Sequence, residues 1–207
     1  MSDNDRQRTL CVIAARGGSK GIPQKNLVDV AGKPLLSWSL GHARAAGGVD
    51  RIAVSSDSPR ILELAEAEGA VGIERPAELA GDTASSESAW RHALDAMEAA
   101  EGPFDRVVAL QATSPIRDPS DIDDALARFD RDGLDSLFSA CAVQDFFTWR
   151  RNTAGHLEPV NYDWRDRRRR QEIEERYLEN GSIYVFTPRL LRETNNRLGG
   201  TIGLFVM

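Results

Sequence analysis

Cysteine is nearly absent from this chain of 207 residues: only Cys11 and Cys141 occur, each inside an apolar run. Thiols so placed read as buried free cysteines in core strands, with no disulfide framework. The expected compartment is therefore the cytoplasm. Histidine is also sparse. His42, His92 and His156 are scattered along the chain, which argues against a zinc site. No apolar stretch approaches the roughly 18 residues of a membrane span, so no membrane partner is expected. The sequence lacks a Gly-Lys-Ser/Thr ending and a Gly-x-Gly-x-x-Gly string, so neither a P-loop nor a dinucleotide fingerprint is present. A basic surplus is missing too. The formal net charge of -6 speaks against indiscriminate nucleic-acid binding and leaves basic side chains to act locally.

What is present suits one compact α/β domain. Met1 to Thr9 is polar and reads as a disordered leader, which places the domain at 10–207. Leu10–Ala15 is a buried first strand closed by Arg16 and a glycine pair. Helical periodicity follows over Pro34–Ala46, then a strand over Arg51–Ser55. Pro59–Glu68 is an amphipathic helix that Asp57 or Ser58 could cap, with Gly69 at its end. A short strand at Val71–Ile73 precedes a helix over Thr83–Ala100. Arg106–Gln111 is an apolar strand. Ser120–Phe129 is a helix with Ser120 and Asp123 in a loose capping-box spacing. Ser136–Val143 and Gly181–Phe186 are strands. Between them, about residues 144–178, the pattern turns aromatic and charged and reads as an inserted arm.

Strands alternating with helices predict a mostly parallel sheet covered on both faces. Ligands in such sheets gather beyond the carboxyl ends of the strands. That rule lines up Arg16–Gly21, Ser55–Asp57 and Gln111–Arg117 on one rim.

The segment Arg16-Gly17-Gly18-Ser19-Lys20-Gly21-Ile22-Pro23-Gln24-Lys25-Asn26 sets three cations and three glycines within eleven residues. Glycine lets backbone N–H groups approach a bulky anion. Arg16 offers a planar fork to phosphate oxygens, and Lys20 and Lys25 offer point charges. A triphosphate needs such neutralisation before a nucleophile can approach it. A surface loop with scattered basic residues is the plainer reading of the same spacing.

The string Ala15–Leu27 resembles the signature of the acylneuraminate cytidylyltransferases, the CMP-sialic acid synthetases. Three further blocks resemble that family in order: Arg75–Ser86, Leu110–Arg117 and Asn180–Tyr184. The resemblance implies a Rossmann-like three-layer nucleotidyltransferase fold with a small dimerisation arm. It implies transfer of CMP from CTP to the anomeric hydroxyl of a sialic-acid-type nonulosonic acid, an acidic nine-carbon sugar, with release of pyrophosphate. Arg16, Lys20 and Lys25 would then stabilise charge on the phosphates. Ala15, Gly17, Gly18, Ser19 and Asn26 would complete the loop around the nucleotide. Arg75, Asp82, Thr83, Ser85 and Ser86 fall in the block bordering base and ribose, where ordinary helix capping by Ser85 and Ser86 is the alternative. Gln111 matches a position facing the acyl sugar. Arg170 belongs to a pair on the sugar's carboxylate side, and Asn180 and Gly181 lie near the site. Arg117 carries no assigned role. The family arm crosses a dimer interface, so a homodimer is expected.

Two departures stand out. The family's Asp-x-Asp segment, which helps bind the divalent ion, has no counterpart before Met207. Mg²⁺ would then ride in on CTP, with no protein metal ligand assigned. The same departure raises a non-catalytic CTP- or sugar-binding protein as an alternative. Glu174 also stands where the family usually has proline. A cytidylyltransferase for legionaminic or pseudaminic acid is a further alternative.

Overall fold

The structure is a computed structural model that describes residues 7–18, 21–81, 84–143 and 147–207. The elements run β1 (Thr9–Ala14), a hairpin of β2 (Asp29–Val30) and β3 (Lys33–Pro34), α1 (Leu35–Ala45), β4 (Arg51–Ser56), α2 (Pro59–Ala67) and β5 (Val71–Glu74). Then come α3 (Ser86–Glu101), β6 (Arg106–Leu110), α4 (Pro119–Arg131) and β7 (Ser136–Val143). The arm carries a second hairpin of β8 (Trp149–Arg151) and β9 (Leu157–Pro159). The chain closes with β10 (Arg176–Phe186), α5 (Pro188–Thr194) and β11 (Ile202–Val206).

Seven strands form one sheet in the order β11-β7-β10-β6-β1-β4-β5. β1 pairs in parallel with β4 on one side and β6 on the other, so the strand order reverses at β1. β10 runs antiparallel to both of its neighbours, and β11 is parallel to β7. The fold is thus α/β with a mostly parallel sheet.

Alternation along the central strands builds the two cores. Cys11, Ile13, Val108 and Leu110 face α1, α2 and α4, where Leu36, Leu40, Ile61 and Ile122 are buried. Leu10, Val12, Val107 and Ala109 face α3 and α5, where Trp90, Leu94, Met97 and Leu191 are buried. The Trp90 ring lies 6.0 Å from Tyr184 and 5.8 Å from Phe186, which seats α3 on β10.

Several boundaries differ from the sequence expectation, each for a local reason. β1 starts at Thr9, inside the stretch read as leader. Thr9 is buried, and its Oγ1 accepts from Arg106 Nε at 3.0 Å. α3 starts at Ser86 because Ser85 takes the N-cap, its Oγ accepting the Ser88 N–H at 3.1 Å. α4 starts at Pro119, with the Asp121 carboxylate accepting the Asp118 N–H at 2.8 Å. Asp123 is therefore no cap partner of Ser120. Its two oxygens take the N–H groups of Gly48 at 2.8 Å and Gly47 at 3.0 Å, tying the α1–β4 connection to α4. Cys11 is buried, and burial pushes its thiol up to about 12. Cys141 is only half-buried, contrary to the core reading.

Removing the Asp123 carboxylate deletes two charge-assisted hydrogen bonds. Asp123→Ala is expected to lower unfolding free energy by roughly 1.5–3 kcal/mol in urea titration. Asp123→Asn, which keeps one acceptor, is expected to recover about half of that loss.

Candidate active site

β1 ends at Ala14, where the order of strands reverses and a crevice opens beyond the carboxyl ends. The segment leaving β1 is held in place residue by residue. Ala15 is buried, and its N–H donates to Ser55 O at 3.0 Å, extending the β1–β4 ladder by one step. The Arg16 carbonyl accepts from Asn26 Nδ2 at 3.0 Å. The Gly17 N–H donates to Asp57 Oδ1 at 2.8 Å. A Cβ at Gly17 would come within 2.8 Å of Ser58 Cβ, so only glycine fits there. Gly18 has open space around it. Ser19 and Lys20 lie outside the described residues. The chain then turns through Gln24, at φ 50°, into a 3-10 turn over Lys25–Leu27 that returns Lys25 and Asn26 to the rim.

These returns create a cavity of about 170 Å³ lined by Arg16, Lys25, Asn26, Ser86 and Gln111. Ala14 and Leu110 at the strand ends, Trp90 on α3, and Ala112 and Thr113 after β6 complete the lining. Two cations, two amides and a helix-terminal hydroxyl thus face one space at the switch point.

Other expected residues stand around this space rather than in its lining. Ser85 is the helix cap described above. Arg75 is buried, with its Nε on Ser55 Oγ at 3.0 Å and its Nη2 on the Ser55 carbonyl. Burial holds its guanidinium below the usual arginine range, and the charge of Asp57 opposes that shift. Asp82 and Thr83 lie outside the described residues. The Arg170 backbone is in a short 3-10 turn of the arm, and its side chain is outside the description.

Asn180 and Gly181 do not begin a strand. They interrupt β10, whose register against β7 shifts between Glu179 and Tyr184. Asn180 Oδ1 accepts from Ser139 Oγ at 2.7 Å and from the Ser182 N–H at 3.1 Å, which satisfies the irregular backbone. Gly181 sits at φ 68°, and a Cβ there would lie 3.3 Å from Gln111 Oε1. The glycine therefore gives the Gln111 side chain room against β10.

Arg117 and Asp57 were not assigned to the site from sequence. Arg117 is buried, and its Nε donates to Ser182 Oγ at 3.0 Å. Its Nη1 reaches Ser39 Oγ at 3.2 Å, and its Nη2 reaches the carbonyls of Gln111 at 3.0 Å and Ser182 at 3.2 Å. Burial brings its guanidinium down to about 10, still charged at neutral pH. Trp90 was also missed. It sits four residues after Ser86 and so one turn below it on the same helix face, a spacing the sequence did display.

The chain matches a sequence profile described as Cytidylyltransferase over residues 10–193. A pseudaminic acid cytidylyltransferase of Campylobacter jejuni is 31% identical over 188 residues, covering 88% of this chain and 79% of that protein. An N-acylneuraminate cytidylyltransferase of Oncorhynchus mykiss is 34% identical over 189 residues, covering 88% of this chain but 42% of that protein. Among solved structures, a CMP:2-keto-3-deoxy-manno-octonic acid synthetase complexed with CTP superposes with a TM-score of 0.71 at 22% identity, covering 97% of this chain and 90% of that one. A 4-diphosphocytidyl-2C-methyl-D-erythritol synthase of Anaerococcus prevotii gives 0.65 at 11% identity, covering 98% and 88%. Sheet order and these superpositions define the class of α/β fold, a mostly parallel sheet shared with both solved structures. Within that class, the chain belongs to the cytidylyltransferase family.

Arg117→Ala would leave the carbonyls of Gln111 and Ser182 without these donors. The expected loss is about 2–3 kcal/mol of stability by denaturant unfolding. Arg117→Lys is expected to restore little, because one ammonium cannot span the acceptors the planar fork reaches.

Proposed function

We propose that this protein transfers CMP from CTP to the anomeric hydroxyl of a sialic-acid-type sugar, an acidic nine-carbon keto sugar. The anomeric hydroxyl gives up its proton to solvent as its oxygen bonds to the α-phosphorus, the bond from that phosphorus to the bridging oxygen breaks, and pyrophosphate leaves. The observation that carries the reading is the convergence of Arg16, Lys25, Asn26, Ser86 and Gln111 on one cavity at the sheet's switch point. Arg16 and Lys25 lie where charge builds up on the phosphates, and such preorganised charge is commonly the largest catalytic contribution. Ser86 and the first turn of α3 flank the nucleoside half. Gln111, backed by Gly181, faces the sugar half.

Pseudaminic acid is the second reading for the sugar. It is favoured by the share of the Campylobacter jejuni relative that this chain covers, 79%. Among the described residues, no group of three or more His, Cys, Asp or Glu could hold a metal ion. Mg²⁺ is proposed to arrive bound to the phosphates of CTP, where it would neutralise charge on the leaving group. A homodimer through the arm is part of the proposal: the arm exposes Trp149, Leu157, Val160 and Trp164, apolar side chains that a second copy would cover. No described helix is long and apolar enough to cross a membrane. The use of CTP fits the cytoplasm.

The deciding assay follows pyrophosphate release from CTP with N-acetylneuraminic, legionaminic, pseudaminic and 3-deoxy-manno-octulosonic acids. A nine-carbon acid is expected to be the best acceptor. Preference for a neutral sugar phosphate overturns the reading, and CTP binding without pyrophosphate release identifies a binder instead. Lys25→Ala is expected to lower turnover by about 10²–10³ with little change in Tm. Sedimentation at micromolar concentration is expected to show a dimer, and a monomer alone would refute that part.

A further inference from the structure

We infer that Asp57 is a positioning residue for the phosphate-binding loop, acting by fixing one peptide plane. The inference rests on the nucleotide reading of that loop. The Arg16 carbonyl and the Gly17 N–H belong to the same peptide group, and a trans peptide points them in opposite directions. Asn26 Nδ2 holds the carbonyl at 3.0 Å, and Asp57 Oδ1 holds the N–H at 2.8 Å. One plane is thus gripped at both ends by side chains from two separate segments. Fixing it sets ψ of Arg16 and φ of Gly17, and so the direction in which the chain leaves the Arg16 side chain and presents the Gly18 amide.

The grip is built rather than incidental. Asp57 directly follows β4, where a carboxylate could serve the next helix, yet the N-cap of α2 is Ser58. The turn carrying Asp57 is itself fixed, with Ser56 Oγ accepting the Ser58 N–H at 3.0 Å and Ser58 O accepting the Ile61 N–H at 3.0 Å. A Cβ at Gly17 would strike Ser58 Cβ at 2.8 Å, so the loop backbone lies directly against this turn. The placement also has an electrostatic side: Asp57 puts a negative charge near Arg75 and beside a loop that is to receive an anion. A carboxylate there works against phosphate binding by charge alone. Its benefit must come through the geometry it imposes.

Two substitutions separate these effects. Asp57→Asn keeps an oxygen for the Gly17 N–H and removes the charge, whereas Asp57→Ala removes both. Asp57 is exposed, so both variants are expected to fold with Tm near that of the unmodified protein. The first readout is amide hydrogen exchange at Gly17 by NMR, which needs no ligand. Exchange is expected to speed up in Asp57→Ala and to stay close to the unmodified rate in Asp57→Asn. The second is CTP affinity by calorimetry, expected to fall about tenfold or more in Asp57→Ala and to be largely recovered in Asp57→Asn. Equal behaviour of the two variants, tighter CTP binding in both, or unchanged exchange in Asp57→Ala overturns the proposal. If the unmodified protein binds no CTP, the nucleotide reading fails, and exchange at Gly17 alone still decides whether Asp57 holds the plane.

Discussion

A buried guanidinium surrounded by neutral oxygens holds this site together. Arg117 donates to Ser182, Ser39 and Gln111 without a hydrogen-bonded carboxylate among the described residues. Burying a cation this way is costly, which the depressed proton affinity of Arg117 registers. The return is that the exit of β6, the irregular part of β10 and helix α1 share one set of donors. No purely apolar contact would fix the Gln111 carbonyl and the Ser182 carbonyl together, because packing is not directional.

The rim then reads as a division of labour between rigid and permissive backbone. At the exit of β1, β1 and β4 stay in register to Ala15, and the next peptide is gripped by side chains. At the exit of β6, β10 departs from register at Gly181, where the missing Cβ leaves room for the Gln111 amide. Both devices place polar side chains, and no described residue lining the cavity is a carboxylate. The cavity therefore keeps a positive bias in a protein whose net charge is -6.

Much of this was legible in the sequence. Continuous apolar runs announced β1, β4 and β6 because parallel central strands are buried on both faces. The order of elements announced the rim, and the glycine-rich cationic segment with its companion blocks announced Arg16, Lys25, Asn26, Ser86 and Gln111. What stayed hidden is what depends on long-range hydrogen bonds. Asp57 meets Gly17 across 40 residues, and no local pattern marks an acid as a backbone acceptor rather than a helix cap. Asp123 misled for the same reason. α5 is only seven residues long and showed no usable period, and the first half of β10 is exposed and so lacks the apolar signature of a core strand.

The position of β10 bears on the order of assembly. It is a late segment of the chain, yet it lies between β6 and β7 near the middle of the sheet. Among the described residues β7 pairs with β10 and β11 alone, so β7 and β11 form a flap with no ladder to β1, β4, β5 and β6 until residues 176–186 are inserted. A nascent chain could complete β5-β4-β1-β6 early, but its β6 edge would stay open through synthesis of the whole arm. Keeping that edge from pairing with another chain during the interval is a demand this topology places on the cell.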